Sequence, residues 1–96
     1  MDLGSTIKKI RKLKGYTQGE FAPICGITQT YLSQIETNQK EPNLSILKTI
    51  AEKLSVPLPI LFFQSITEDD VQPAKKEFFN AISPSVKQII DEIFTL

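Results

Sequence analysis

An all-α fold is what this 96-residue sequence predicts, and three observations predict it. Apolar residues recur at helical spacing in separate segments: Ile7, Ile10 and Leu13; then Leu44, Leu47, Ile50, Ala51 and Leu54; then Val86, Ile89, Ile90, Ile93 and Phe94. Residues that cap helix N-termini, Thr17, Thr28 and Asn43, stand where new helices would open. Gly15 and Gly26 stand where helices would end, since glycine adopts the left-handed turn at little cost.

The first helix runs from Leu3 to Lys14, with Lys8, Lys9 and Lys12 on its polar face. Those lysines serve either as a solvated face or as phosphate contacts. Thr17 opens the second helix, and Thr17 to Glu20 forms a T-x-x-E capping box in which hydroxyl and carboxylate each satisfy a free N–H. That leaves Gln18 at an exposed helix start, where N–H groups favour a phosphate. Pro23 falls past the first turn and removes a helical hydrogen bond, so a distorted or loose last turn is expected. Phe21, Ala22 and Cys25 share one face of this helix.

After Gly26 a third helix begins, Thr28 to about Thr37, with Leu32 and Ile35 inward. Two short helices joined through a glycine turn, apolar where they meet, make a helix-turn-helix. The outward positions carry Gln29, Thr30, Ser33 and Gln34, uncharged groups with donors and acceptors suited to base edges. A glutamine can pair doubly with adenine, and a threonine methyl can pack on thymine. Tyr31 either packs on the core edge or reaches a phosphate with its hydroxyl.

A polar loop, residues 38–42, leads to a fourth helix, Leu44 to Leu54, capped by Asn43. A short fifth helix follows, Leu58 to Phe63, with Pro59 tolerated in its first turn. Residues 64–73 turn polar and acidic and lose helical period, so they read as a linker. The remainder, 74–96, reads as two short helices: Ala74 to Ile82, then one opened by Ser83-Pro84.

The segments IRKLKGYTQGEFA, CGITQTYLSQIE and EPNLSILKTIAEKLSVPL resemble the lambda-repressor and Cro helix-turn-helix family, often called XRE, over Ile7 to Phe62. The resemblance implies a five-helix lambda-repressor-like DNA-binding domain over residues 1–63, followed by the linker and the C-terminal helices. It implies base contacts from Gln29, Thr30 and Gln34, with Ser33 touching base or backbone. Backbone contacts are implied for Gln18, Thr37, Asn38 and Lys40. It also implies that Arg11 of the first helix pairs with Glu36 at the end of the third, holding the reading helix at a fixed angle.

Charge is divided along the chain. Residues 1–63 hold eight lysines and arginines against five carboxylates, and residues 64–96 hold three against six. A basic module with an acidic appendage fits a nucleic-acid binder whose overall charge is zero. With no histidine and one cysteine, Cys25, neither a disulfide within the chain nor a Cys/His zinc site is expected. No catalytic constellation, phosphate-binding glycine loop or cofactor motif is found, so no enzyme activity, metal or cofactor is expected. No apolar run approaches the ~20 residues of a membrane span, and no basic-then-apolar leader opens the sequence, so a cytoplasmic protein is expected.

These features make double-stranded DNA the expected partner and a sequence-specific transcription regulator, most simply a repressor, the expected function. One reading helix covers few base pairs, so a homodimer on a near-palindromic site is expected. The stripe Val86, Ile89, Ile90, Ile93 and Phe94 is the expected dimer surface. Its alternative is to fold back near Leu61, Phe62 and Phe63. Two other functions remain open: an antitoxin or restriction-modification controller whose C-terminal helices hold a second protein, and an interaction module without DNA binding.

Overall fold

The computed structural model describes Met1–Leu96 and contains six α-helices and no strand. They are α1 (Leu3–Leu13), α2 (Gln18–Ile24), α3 (Gln29–Glu36), α4 (Leu44–Lys53), α5 (Leu58–Gln64) and α6 (Lys76–Phe94). Helix α3 packs against α1 and α2, while α5 packs against α1 and α4. One core of thirteen buried apolar residues, all between Ile7 and Leu61, holds the first five helices together. No helix is long and apolar enough to cross a membrane.

Five of the six helices close on a residue in the left-handed region: Gly15, Gly26, Asn38 and Ser55 after α1, α2, α3 and α4, and Thr95 after α6. In α2 the Ile27 N–H then bonds the Ala22 carbonyl and the Gly26 N–H bonds the Pro23 carbonyl, each at 3.0 Å. This pairing satisfies carbonyls that a helix end otherwise leaves free. It also firms up the last turn of α2 despite Pro23. The bond that Pro23 cannot make would reach the Gly19 carbonyl, and both residues are exposed. The expected Thr17–Glu20 capping box is present, with both of its bonds at 3.1 Å.

Two apolar residues leave the faces expected for them. Leu13 is exposed, and Arg11 occupies the buried position instead. Residues three apart drift about 60° around a helix at each step, so Leu13 has rotated away from the face that Ile7 starts. Leu44 is likewise exposed, because it opens α4 beyond the edge of the core.

Residues 64–73 are folded. They carry two 3-10 turns, Glu68–Asp70 and Pro73–Lys75, and are tied to the N-terminus of the chain. The Met1 ammonium donates to Asp70 at 2.8 Å, and the Asp2 N–H donates to the Ser65 carbonyl at 2.8 Å. Beyond them the C-terminal region is one 19-residue helix rather than two short ones. Pro84 lies inside it and is exposed, so its missing bond to the Asn80 carbonyl falls on the solvent side.

The apolar residues of the C-terminal region go two ways. Ile90 and Phe94 of α6 are half-buried, and Leu96, just past its end, packs on the core of the first five helices. Val86, Ile89 and Ile93 stay exposed, together with Phe78 and Ile82. The stripe read from the sequence is therefore split between folding back and facing outward.

Candidate nucleic-acid interface

The third helix is set in place by buried contacts on one side, which leaves its other side free. Leu32 and Ile35 are fully buried in the core. Thr28 caps the helix by accepting from the Tyr31 N–H at 3.0 Å. Gln29 and Thr30 are exposed at its N-terminal end, and Ser33 and Gln34 are half-buried on the same outward side. Tyr31 is half-buried and packs against the core. The four outward groups carry amide and hydroxyl donors and acceptors and no charge, the chemistry that reads base edges.

A buried ion pair fixes the angle of α3. The Arg11 guanidinium donates from Nε to Glu36 Oε2 at 2.7 Å and from a terminal nitrogen to Glu36 Oε1 at 3.0 Å. Its other terminal nitrogen donates to the Tyr16 carbonyl at 2.7 Å. Both side chains are almost wholly buried, 5% and 1% exposed. Two parallel bonds between planar groups restrict rotation as well as distance. Gln18 joins this network, donating from Nε2 to Glu36 Oε1 at 3.0 Å. Helices α1, α2 and α3 thus meet at one carboxylate, and no buried side-chain donor or acceptor is left without a partner.

A second tie, which the sequence reading missed, joins the end of α3 to the start of α1. Asn38 accepts from the Gly4 N–H at 3.0 Å and donates to Asp2 at 2.8 Å. Asp2 in turn caps α1 by accepting from the Ser5 N–H at 3.1 Å. The Asn38 amide and then Ser5 hold the Asp2 carboxyl below the usual carboxylate range. A methyl at Gly4 would come within 2.5 Å of the Ile35 carbonyl oxygen and 2.7 Å of that of Glu36. The glycine is what lets α1 approach α3 this closely. The aspartate three residues before Ser5 was the visible signal for the cap; nothing local marked the role of Gly4.

The residues expected at the DNA backbone are spread over two places. Gln18 starts α2 and is half-buried, its amide engaged with Glu36. Thr37 and Lys40 are exposed just beyond α3, and Thr37 donates its hydroxyl hydrogen to the Ser33 carbonyl at 2.9 Å. Asn38 adjoins them with its side chain bonded to α1. Two lysines meet the C-terminal end of the chain: Lys9 of α1 borders Asp91 and Leu96, and Lys14, just past α1, donates to the Thr95 carbonyl at 3.4 Å. Cys25 lies buried where α2 ends, and burial pushes its thiol up to about 11, only partly opposed by Lys53. It is a small apolar filler in the protonated form.

A helix-turn-helix family model matches residues 7–61. YazB of Bacillus subtilis (strain 168), an uncharacterized HTH-type transcriptional regulator, is 40% identical over 53 residues, covering 55% of this chain and 77% of YazB. SinR of the same organism, an HTH-type transcriptional regulator, is 40% identical over 55 residues, covering 56% of this chain and 50% of SinR. The immunity repressor of Bacillus phage phi105 is 30% identical over 79 residues, covering 80% of this chain and 55% of the repressor. The chain spans about half the length of the last two.

Proposed function

This chain belongs to the XRE-type helix-turn-helix family of DNA-binding transcriptional regulators, and from that premise we propose that it is a repressor that binds a near-palindromic operator as a homodimer. Helix α3 enters the major groove of each half-site. Gln29, Thr30 and Gln34 meet base edges, and Ser33 meets a base or the adjoining phosphate. Gln18, Tyr31, Thr37 and Lys40 meet phosphates, and Asn38 fixes the loop that presents the last two. The repressor named among the relatives supports the direction of regulation.

The observation that carries this reading is an α3 anchored at its C-terminal end by the buried Arg11–Glu36 pair while its N-terminal end presents the exposed, uncharged Gln29 and Thr30. A rigid support under a polar helix face is what base readout requires, because a bidentate contact tolerates little angular play. Two copies are needed because one helix reads few base pairs. A two-fold pair demands half-sites about 34 Å apart. The expected dimer surface is on α6, where Val86, Ile89 and Ile93 are exposed and Ile90 and Phe94 half-buried.

Selection of duplexes from a random pool tests the proposal. It should return an inverted repeat with half-site centres about one helical turn apart, bound with an affinity that falls steeply with added salt. Recovery of no consensus, with weak binding independent of salt, would reject it in favour of a protein-interaction module.

A further inference from the structure

Helix α6 presents two faces with different chemistry. One is bonded to its own chain. Asn80 donates to Glu68 at 2.7 Å, Lys87 to the Ile66 carbonyl at 3.3 Å, and Asp91 accepts from Gln64 at 3.0 Å. These residues recur at spacings of seven and four, so they share one side of the helix. Away from that side run Phe78, Ile82, Val86, Ile89 and Ile93, all exposed, from 37% at Val86 to 65% at Phe78. Beside this stripe opens an apolar hollow of about 180 Å³, lined mainly by Phe63, Ile66, Phe79, Ile82 and Val86. A continuous apolar stripe extending over most of a 19-residue helix marks an interaction surface.

The order of residues along the stripe identifies the occupant and its direction. Phe78 and Ile93 lie equally far from the midpoint between Ser85 and Val86, and so do Ile82 and Ile89. Read from either end, these four residues have the same spacing, four, seven and four, and Val86 stands half a residue from the midpoint. A stripe of that kind is self-complementary about a two-fold axis perpendicular to the helix, the isologous condition. Charge points the same way. Lys75 stands at the N-terminal end in line with the stripe, and Glu92 stands exposed near the C-terminal end; Glu77, also in the first turn, falls by helical spacing toward the opposite side. Antiparallel pairing brings the Lys75 end of each helix to the Glu92 end of the other and opposes the helix dipoles favourably. Parallel pairing would set Lys75 against Lys75 and Glu92 against Glu92.

We infer that the occupant is a second copy of α6, antiparallel, with the two-fold axis passing beside Val86. Phe78 then packs against the second copy's Ile93 and Ile82 against its Ile89, and the hollow beside Ile82 and Val86 takes that Ile89. This inference rests on the homodimer reading above and specifies the orientation and register that the reading leaves open.

Cysteine pairing in the full-length protein tests it, with native Cys25 buried and the parent chain as control. Under mild oxidation Val86→Cys should become a disulfide-linked dimer on its own. Ile93→Cys alone should stay unlinked, whereas a mixture of Phe78→Cys and Ile93→Cys chains should link to each other. Self-linking of Ile93→Cys as complete as that of Val86→Cys would overturn the register in favour of a parallel pair. A parent that sediments as a dimer while none of the three preparations links would place the dimer surface elsewhere and overturn the inference alone. A parent that sediments as a monomer at the highest concentration reached would remove the dimer reading itself.

Discussion

Single residues decide how firmly α3 is held. Glu36 accepts from Arg11 twice and from Gln18 once, out of contact with water. Removing Arg11 leaves a buried carboxylate without its cation, which typically costs about 3–5 kcal/mol. Arg11→Ala and Glu36→Ala should each lower the melting temperature, and the double variant should lose much less than the two losses added. A double-mutant cycle by chemical denaturation measures that coupling, and additive losses would show that the pair does not act as a unit. Asp2 gives a second, pH-dependent prediction. Its carboxyl lies below the ordinary value of 3.8 because the ionised form accepts from Asn38 and Ser5. The stabilisation is therefore present above 3.8 and is lost as pH falls through the lower, folded-state value. Asp2→Asn should be less stable than the parent at neutral pH, and the gap should close in strong acid. A gap constant with pH would remove Asp2 from the account.

At the level of elements, the sequence was legible wherever a local rule acted alone. The caps Thr17, Thr28 and Asn43 and the turn glycines Gly15 and Gly26 each mark a boundary seen in the structure. The C-terminal region was misread because two local rules conflicted. Ser83-Pro84 has the form of a helix start, yet Phe78, Ile82, Val86 and Ile89 keep one stripe across it and the helix continues. Gly4 was missed for a different reason. Inside a helix, alanine normally replaces glycine with a gain of about 0.5–1 kcal/mol. Here the constraint comes from the carbonyls of Ile35 and Glu36, more than thirty positions away. Gly4→Ala should therefore destabilise, by about 1–3 kcal/mol as expected for overpacking, and weaken operator binding by shifting α1 against α3. A stabilised Gly4→Ala protein with unchanged binding would show that this close approach is slack. Truncation after Gln72 is the corresponding test of α6. It keeps the Met1–Asp70 tie and the whole buried core, so the fragment should fold, sediment as a monomer and bind one half-site weakly. A dimeric fragment with full operator affinity would move the dimer surface into the first five helices.

For the whole molecule, the net charge of zero conceals a division of labour. The basic residues concentrate in the five-helix unit, and the acidic excess lies in the turns and helix that follow. Part of that excess is used internally: Asp70 holds the N-terminus, Asp69 meets Lys76 at 3.8 Å, and Asp91 holds Gln64. The molecule is elongated, 42 × 27 × 20 Å, with α6 as a long arm beside the five-helix unit. On the proposed function, one part presents the DNA-reading face and the other the self-complementary stripe, the division that a two-fold DNA reader needs. The central claim is that the outward end of α3 reads bases. Binding of Gln29→Ala and Gln34→Ala to the selected operator, each compared with a duplex altered at one position per half-site, tests it most directly. Each variant should lose about 1–3 kcal/mol on the preferred duplex and discriminate less at its own position. If both bind the operator as tightly and as selectively as the parent, α3 is not the reading helix.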